Sequence, residues 1–295
     1  MSGAVARPLA RRLATLQGPI RRLAANRLGL IAGTILLIVV VVGLLAPIIA
    51  PYNPNAPDTV DRFAPPLSEG HLLGTDEFGR DVLSRIMHGA RVSLVIAALA
   101  ATLALILGGS VGLTIGYVGG WADLGVMRAI DAFAAIPTLM IALGILGLFG
   151  PRVETVVLAL GIGYAPAFAR VSRAAAVDIR ARSYVEAARV LGATTVRIVR
   201  EDVVPMVTPV LIVQFTSCLA WAILDEAALG FLGLSVQAPT ASWGSMLTSG
   251  RTYFYHSPTV ALFAGLAVAI VVFGVNLLGD ALRDLFDPRA WRSGD

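Results

Sequence analysis

RVSRAAAVDIRARSYVEAARVLGATTVRIVREDVVP, residues 170–205, is a polar interruption between long apolar runs. It holds seven arginines: Arg170, Arg173, Arg180, Arg182, Arg189, Arg197 and Arg200. Each such charge costs roughly 2.5–3.5 kcal/mol at the centre of a bilayer, so the segment cannot share the lipid environment its neighbours require. It stands in water at a membrane surface and is long enough to fold there. Ser183-Tyr184-Val185-Glu186 fits a capping box, with the serine hydroxyl accepting from the amide of residue 186 and the glutamate reaching back. A short helix is expected from there to Leu191, with Gly192 as its stop or bend. A second short helix is expected from Thr194 to Val203, ended by Pro205. Ala187 and Ala188 let another surface approach the backbone. From these residues alone, a solvated basic loop and a docking surface both remain open.

The flanking runs set the class. Apolar residues make up 57% of the chain and charged ones only 14%, with a mean hydropathy of +0.79. Those values exclude a soluble globular domain. All 23 basic residues are arginine. A P-loop requires a lysine on the phosphates, so no standard ATP-hydrolysing site is expected, and any ATP and magnesium would be held by other chains. The single cysteine, Cys218, excludes an intrachain disulfide, and His71, His88 and His256 are too scattered for a metal site. Catalytic residues and a metal centre are therefore not expected. The high pI reads as membrane topology rather than nucleic-acid binding.

Six spans are expected, making the chain an all-α integral membrane protein. The first covers about 28–50, too long for a signal-peptide core and long enough to cross hydrocarbon. A proline-rich loop follows. From Asp81, apolar Val82, Leu83, Ile86 and Met87 recur opposite Arg80, Ser84 and Arg85, which predicts an amphipathic helix on the outer surface leading into the second span, 92–117. Gly108, Gly112, Gly116 and Gly120 fall four apart, a smooth face for helix packing. The third span, 124–149, holds Arg128 and Asp131, which can pair across one turn; a gate or pathway role is the alternative for Asp131. Pro137 predicts a kink. The fourth span begins at Val153.

The fifth span, 207–232, carries Asp225 and Glu226, adjacent carboxylates that point in different directions on a helix. They are read as structural groups or as candidates for a water-filled pathway. Trp243, Tyr253, Phe254 and Tyr255 suit an outer loop at headgroup level. The sixth span, 259–278, has Asn276 as its polar member. With both ends in the cytoplasm, inner segments hold seventeen arginines and outer segments five, with Arg91 at a boundary, as the positive-inside rule requires.

Glu186-Ala187-Ala188, Gly192 after three intervening residues and Pro205 thirteen later resemble the EAA loop of ABC importer permeases. GTDEFGRDVLSRIMHGARVSL (74–94), EAALGFLGLSVQAPTASWGSML (226–247) and NLLGDALRDLFDPR (276–289) narrow the resemblance to the second, shorter permease of dipeptide/oligopeptide/nickel importers. Asp202 departs from the pattern, where relatives usually carry histidine. The resemblance implies a type I ABC importer permease architecture. An N-terminal part, 1–90, would precede a permease core, 91–295. It implies that Glu186, Ala187, Ala188, Gly192 and Pro205 belong to a coupling segment seated in a cytoplasmic ATPase. It also implies a homologous permease as partner, two ATPase subunits, an extracytoplasmic solute-binding protein, and a bacterial inner membrane. Short peptides are the expected cargo, with nickel chelates, glutathione or opine-like conjugates as alternatives. A gradient-driven transporter or channel is the reading of another class, and an ATPase-docking segment speaks against it.

Overall fold

The computed structural model describes residues 27–286, in which helices are joined by loops and the only β pairing is two isolated bridges. The N-terminal Arg7, Arg11, Arg12, Arg21 and Arg22 and the C-terminal Arg289 and Arg292 lie outside the described residues. The helices are α1 (Arg27–Ile49), α2 (Val82–Ala104), α3 (Ser110–Val118), α4 (Gly120–Phe133), α5 (Thr138–Phe149), α6 (Val153–Arg180), α7 (Ser183–Val190), α8 (Thr195–Ile198), α9 (Val204–Phe231), α10 (Trp243–Thr252) and α11 (Thr259–Phe286). A π turn, Leu105–Gly109, joins α2 to α3, and another, Val199–Val203, joins α8 to α9.

Five stretches are long and apolar enough to cross a bilayer: α1, Val82–Val118, α6, Thr195–Phe231 and α11. The sixth crossing is α4 and α5 together, bent by 76° at a short break. Pro137 does more than kink this span. It sits at the N-cap of α5 with extended ψ, and the chain turns before the second half-helix begins. Six crossings return the chain to the end where α1 began. That end also carries α7 and α8 and is called the arginine end; the other, with loops 50–81 and 232–258, is the loop end.

The core is built from small side chains, because helices in lipid gain from close van der Waals packing rather than from leaving water. Ala90, Ala97 and Ala100 of α2 are buried among Ile96, Leu160, Ile223 and Leu229, and Ala101 and Ala104 against Phe168 and Cys218. A separate cluster at the arginine end joins Tyr117, Ile179, Val185, Ile198 and Val203.

The loop end corrects one expectation. Residues 82–88 form no separate surface helix; they are the first turns of the long span, begun by Asp81 as N-cap. Arg80, Ser84 and Arg85 are buried rather than solvated. Arg80 Nε bonds Asp76 Oδ2 at 2.7 Å and Arg85 Nη1 bonds the Pro54 carbonyl at 2.8 Å. Asp81 Oδ2 accepts from the Ser84 amide and hydroxyl, and its Oδ1 meets His71 Nδ1 at 2.9 Å. Paired this way, buried charges satisfy one another inside a folded loop. Trp243 packs against the same end of α2. It is 1% exposed, its Nε1 donating to the Ile86 carbonyl at 3.2 Å.

Candidate functional site

Three groups of residues carry the candidate chemistry. The first is the hairpin of α7 and α8 at the arginine end. The capping box at Ser183 does not form: Arg182 is the N-cap, without a side-chain cap, and Ser183 is already inside the helix. The Glu186 amide bonds the Arg182 carbonyl at 3.3 Å, and its carboxylate makes no hydrogen bond or ion pair among the described residues. The other end of α7 is a complete Schellman motif. The Ala193 amide reaches the Ala188 carbonyl and the Gly192 amide the Arg189 carbonyl, both at 3.0 Å, with Gly192 at φ +83°. Only Val185 of α7 is buried. Glu186 and Ala187 are exposed and Ala188 is half-buried. Val190, Leu191 and Val196 stand 82%, 87% and 76% exposed. Pro205 ends no helix. The π turn carries the chain through it, the Val204 amide bonding the Val199 carbonyl, so α8, the π turn and α9 run on as one stretch. A proline in the first turn of α9 lacks only an N–H that the wider turn does not need.

The second group is the pair of carboxylates on α9, and the structure separates their surroundings. Glu226 is fully buried. Its Oε2 accepts from Ser93 of α2 at 2.9 Å, and its Oε1 from Ser235 at 2.7 Å and Ser242 at 3.0 Å. The Gly244 amide completes the set. Ser93 Oγ in turn accepts from the Trp243 amide at 3.1 Å. Glu226 is thus the point at which α2, α9, the 232–242 loop and α10 meet. Asp225 is half-buried and accepts from the Tyr164 hydroxyl of α6; among the described residues no cation pairs with it. On the same side of α9, at helical spacing, lie half-buried Gln214, exposed Ser217 and Trp221, the last 60% exposed.

The third group ties α4 to α6. Asp131 does not pair with Arg128. Its Oδ1 meets Arg170 Nε of α6 at 3.0 Å, both side chains about half exposed. Asp123 takes a two-pronged bond from Arg173, Nη2 to Oδ2 at 2.7 Å. Asn276 is exposed on α11 and makes no hydrogen bond among the described residues.

Between these groups, α3 crosses α6 in near backbone contact. A Cβ at Gly108 would fall on the Ala165 carbonyl, one at Gly112 on the Ala169 carbonyl, and one at Gly116 would come within 2.7 Å of the Arg173 carbonyl. The three acceptors are four apart on α6, matching the glycines. Gly120 departs from the series: it lies beyond α3 at φ +72° with nothing near its Cβ direction.

Sequence reasoning missed Tyr164, Ser93, Ser235 and Ser242 as partners of the carboxylates, and Arg173 as partner of Asp123. Each is a polar side chain that gives no pattern of its own. Only Ser93, a hydroxyl just inside an apolar run, carried a signal.

Two family models match the chain. That of the binding-protein-dependent transport system inner membrane component covers residues 108–292, and that of the N-terminal TM domain of oligopeptide transport permease C covers residues 16–66. The di/tripeptide transport system permease protein DppC of Pseudomonas aeruginosa is 42% identical over 271 residues, 90% of this chain and 89% of that protein. The glutathione transport system permease protein GsiD of Pectobacterium atrosepticum is 34% identical, over 91% of this chain and 89% of its own length. Among solved structures, a chain of the MetNI methionine ABC transporter in inward-facing conformations superposes with a TM-score of 0.57 at 22% identity, over 70% of this chain and 98% of that one, a likeness of fold. With its six helical crossings, its polar hairpin and these matches, the chain belongs to the family of binding-protein-dependent transport system inner membrane components, the permeases of ABC importers.

Proposed function

We propose that this chain is one of two homologous permeases that together enclose the pathway of an ATP-driven importer for short peptides. The arginine end faces the cytoplasm with both termini, as the arginine distribution favours. Two separate ATPase subunits, which hold the ATP and magnesium, grip α7 and its counterpart. A solute-binding protein delivers cargo at the loop end. Di- and tripeptides are the cargo because a relative of 42% identity carries that name and others of like identity are named for peptide transport; glutathione, itself a peptide, is the second choice through a less similar relative.

The observation that supports this reading best is the bare apolar tip of the hairpin. Val190, Leu191 and Val196 stand almost fully exposed on an arginine-rich segment, where side chains of that kind mark an interaction surface. A gradient-driven carrier has no use for it. The test uses the whole complex in vesicles. Proline at Gly192 demands a φ near −65° where the Schellman turn holds +83°, so Gly192→Pro is expected to lower ATP-driven uptake at least tenfold while the chain still inserts. Glu186→Arg is expected to do the same. Normal uptake in either variant, or uptake that follows an ion gradient and ignores ATP, would make the coupling role wrong.

The exposed polar side of α9 is assigned to the pathway, because Gln214, Ser217 and Asp225 would be costly against lipid tails. There the Asp225 carboxylate meets the ammonium of a passing peptide. Asp225→Asn keeps an oxygen for the Tyr164 hydroxyl but removes the charge, and is expected to cut uptake by about tenfold, equivalent to ~1.4 kcal/mol. Tyr164→Phe keeps the charge and should cost less. If the two variants transport alike, the charge has no part in passage.

A further inference from the structure

Beside the end of α3, at the arginine end, opens a pocket of about 430 Å³ walled by Tyr117, Val118, Arg180, Arg189 and Thr195. Its charge is unbalanced. Arg180 Nη1 donates to the Tyr117 carbonyl at 2.9 Å, and Arg189 Nη2 reaches the Tyr117 hydroxyl at 3.4 Å. Neither forms an ion pair among the described residues. The carboxylate of Asp123, at the start of α4, is already engaged at both oxygens by Arg173. Two guanidinium groups therefore face one cavity with most of their donors unused. That arrangement fits a phosphate, whose oxygens accept the guanidinium fork.

What lies deeper along the same helices decides which phosphate. An apolar groove of about 390 Å³ runs between the π turn, α3, α4 and α6, lined by Leu107, Val111, Ile130, Phe133 and Ala169 among others. Val111 of the groove and Val118 of the pocket are seven residues apart, two turns, on one side of α3. Ala169 and Arg180 are eleven apart, three turns, on one side of α6. Pocket and groove are thus aligned, about 10 Å from each other along α3 at ~1.5 Å per residue. Beside them Trp121 stands 90% exposed and Val118 63%. A bare tryptophan at the border of apolar and basic surface suits the headgroup level of a bilayer. A free phosphate would satisfy the arginines but leave the groove and the tryptophan uncovered.

We propose that pocket and groove hold one anionic phospholipid, its phosphate between Arg180 and Arg189 and an acyl chain along α3, α4 and α6. The leaflet is the cytoplasmic one, an assignment that rests on the orientation proposed above. Because Arg189 belongs to α7, the lipid ties the coupling hairpin to the membrane, and the anionic lipid content tunes transport.

The experiment uses the complete transporter in phosphatidylcholine vesicles with and without phosphatidylglycerol, with retained lipid identified by native mass spectrometry. Wild type is expected to keep one phosphatidylglycerol per copy of this chain and to transport faster in the doped vesicles. Arg189→Gln is expected to bind that lipid on the order of tenfold more weakly and to lose the stimulation. The one hydrogen bond of its side chain among the described residues is the long contact to Tyr117, so folding should survive; Arg180→Gln with Arg189→Gln deepens the loss. Equal retention in wild type and variants overturns the lipid site. So does displacement of the lipid by inorganic phosphate at like affinity, which would make this a soluble-anion site. Cross-linking of Arg189 to an acidic side chain of an ATPase overturns it as well. The orientation is tested apart, with Leu191→Cys in a Cys218→Ser background. Labelling of intact cells by a membrane-impermeant thiol reagent would overturn the orientation and the leaflet, whatever the lipid result.

Discussion

Gly112→Val is expected to leave no stably folded permease. The added Cβ would occupy the space of the Ala169 carbonyl, and backbone stands on both sides of the contact, so no side chain can swing away. Overpacking in a forgiving core costs about 1–3 kcal/mol; here two helices must separate, which also opens the neighbouring contacts at Gly108 and Gly116. Against a total stability of about 5–15 kcal/mol, that is enough to lose the bundle. Smaller insults should grade with the available space. Gly112→Ala should cost more than Gly116→Ala, whose Cβ approaches the Arg173 carbonyl at 2.7 Å, and Gly125→Ala, with nothing within 4 Å, should cost nothing. Thermal unfolding in detergent, followed by the fraction that survives size-exclusion chromatography, reads the series. Equal melting of Gly112→Ala and Gly125→Ala would remove the close crossing as the reason for these glycines.

The second large effect is expected at Glu226→Ala. The fully buried carboxylate satisfies three serine hydroxyls and the Gly244 amide. Alanine leaves all of these donors in a dry space, each at a cost of about 1–3 kcal/mol, and adds a cavity. The 232–242 loop and α10 should detach from α2, exposing Trp243. Glu226→Gln tests the account more finely. Its oxygen can keep Ser235 and Ser242, while its amide would face Ser93, whose hydroxyl then loses its acceptor, so about one bond's worth of stability should go. Limited proteolysis near residue 240 and tryptophan fluorescence would follow the detachment. A Glu226→Ala protein that melts with wild type and resists the protease equally would mean that the serines find other partners.

Much of this was legible in the chain itself, and the reason is lipid. Six apolar runs and an arginine-rich gap between the fourth and fifth leave few ways to cross a bilayer, and the four-residue glycine spacing marks a close helix crossing. What resisted reading was the partner of each polar group. Asp131 has Arg128 one turn away yet pairs with Arg170, because pairing is decided by which helices meet and not by spacing along one of them. Arg80, Ser84 and Arg85 make a polar stripe that resembles a wet helix face; they are buried because Asp76, Asp81 and the Pro54 carbonyl arrive from elsewhere in the same loop. At Ser183 the hydroxyl and glutamate were correctly spaced, but the helix begins one residue earlier than they require.

The π turn at Leu105–Gly109 has a bearing on those glycines. On an α-helix of 3.6 residues per turn, positions four apart advance by about 40° each step, so a run of three such glycines would wind away from a straight neighbour. A turn closed on the fifth residue holds more residues and sets the phase back. Gly108 lies within it, so the turn resets only the first step, to Gly112; the step on to Gly116 is plain α-helix, and the three glycines meet Ala165, Ala169 and Arg173. The length of the turn acts as a vernier, and a homologous chain that lost one residue there would need its small residues at different positions to keep the same crossing.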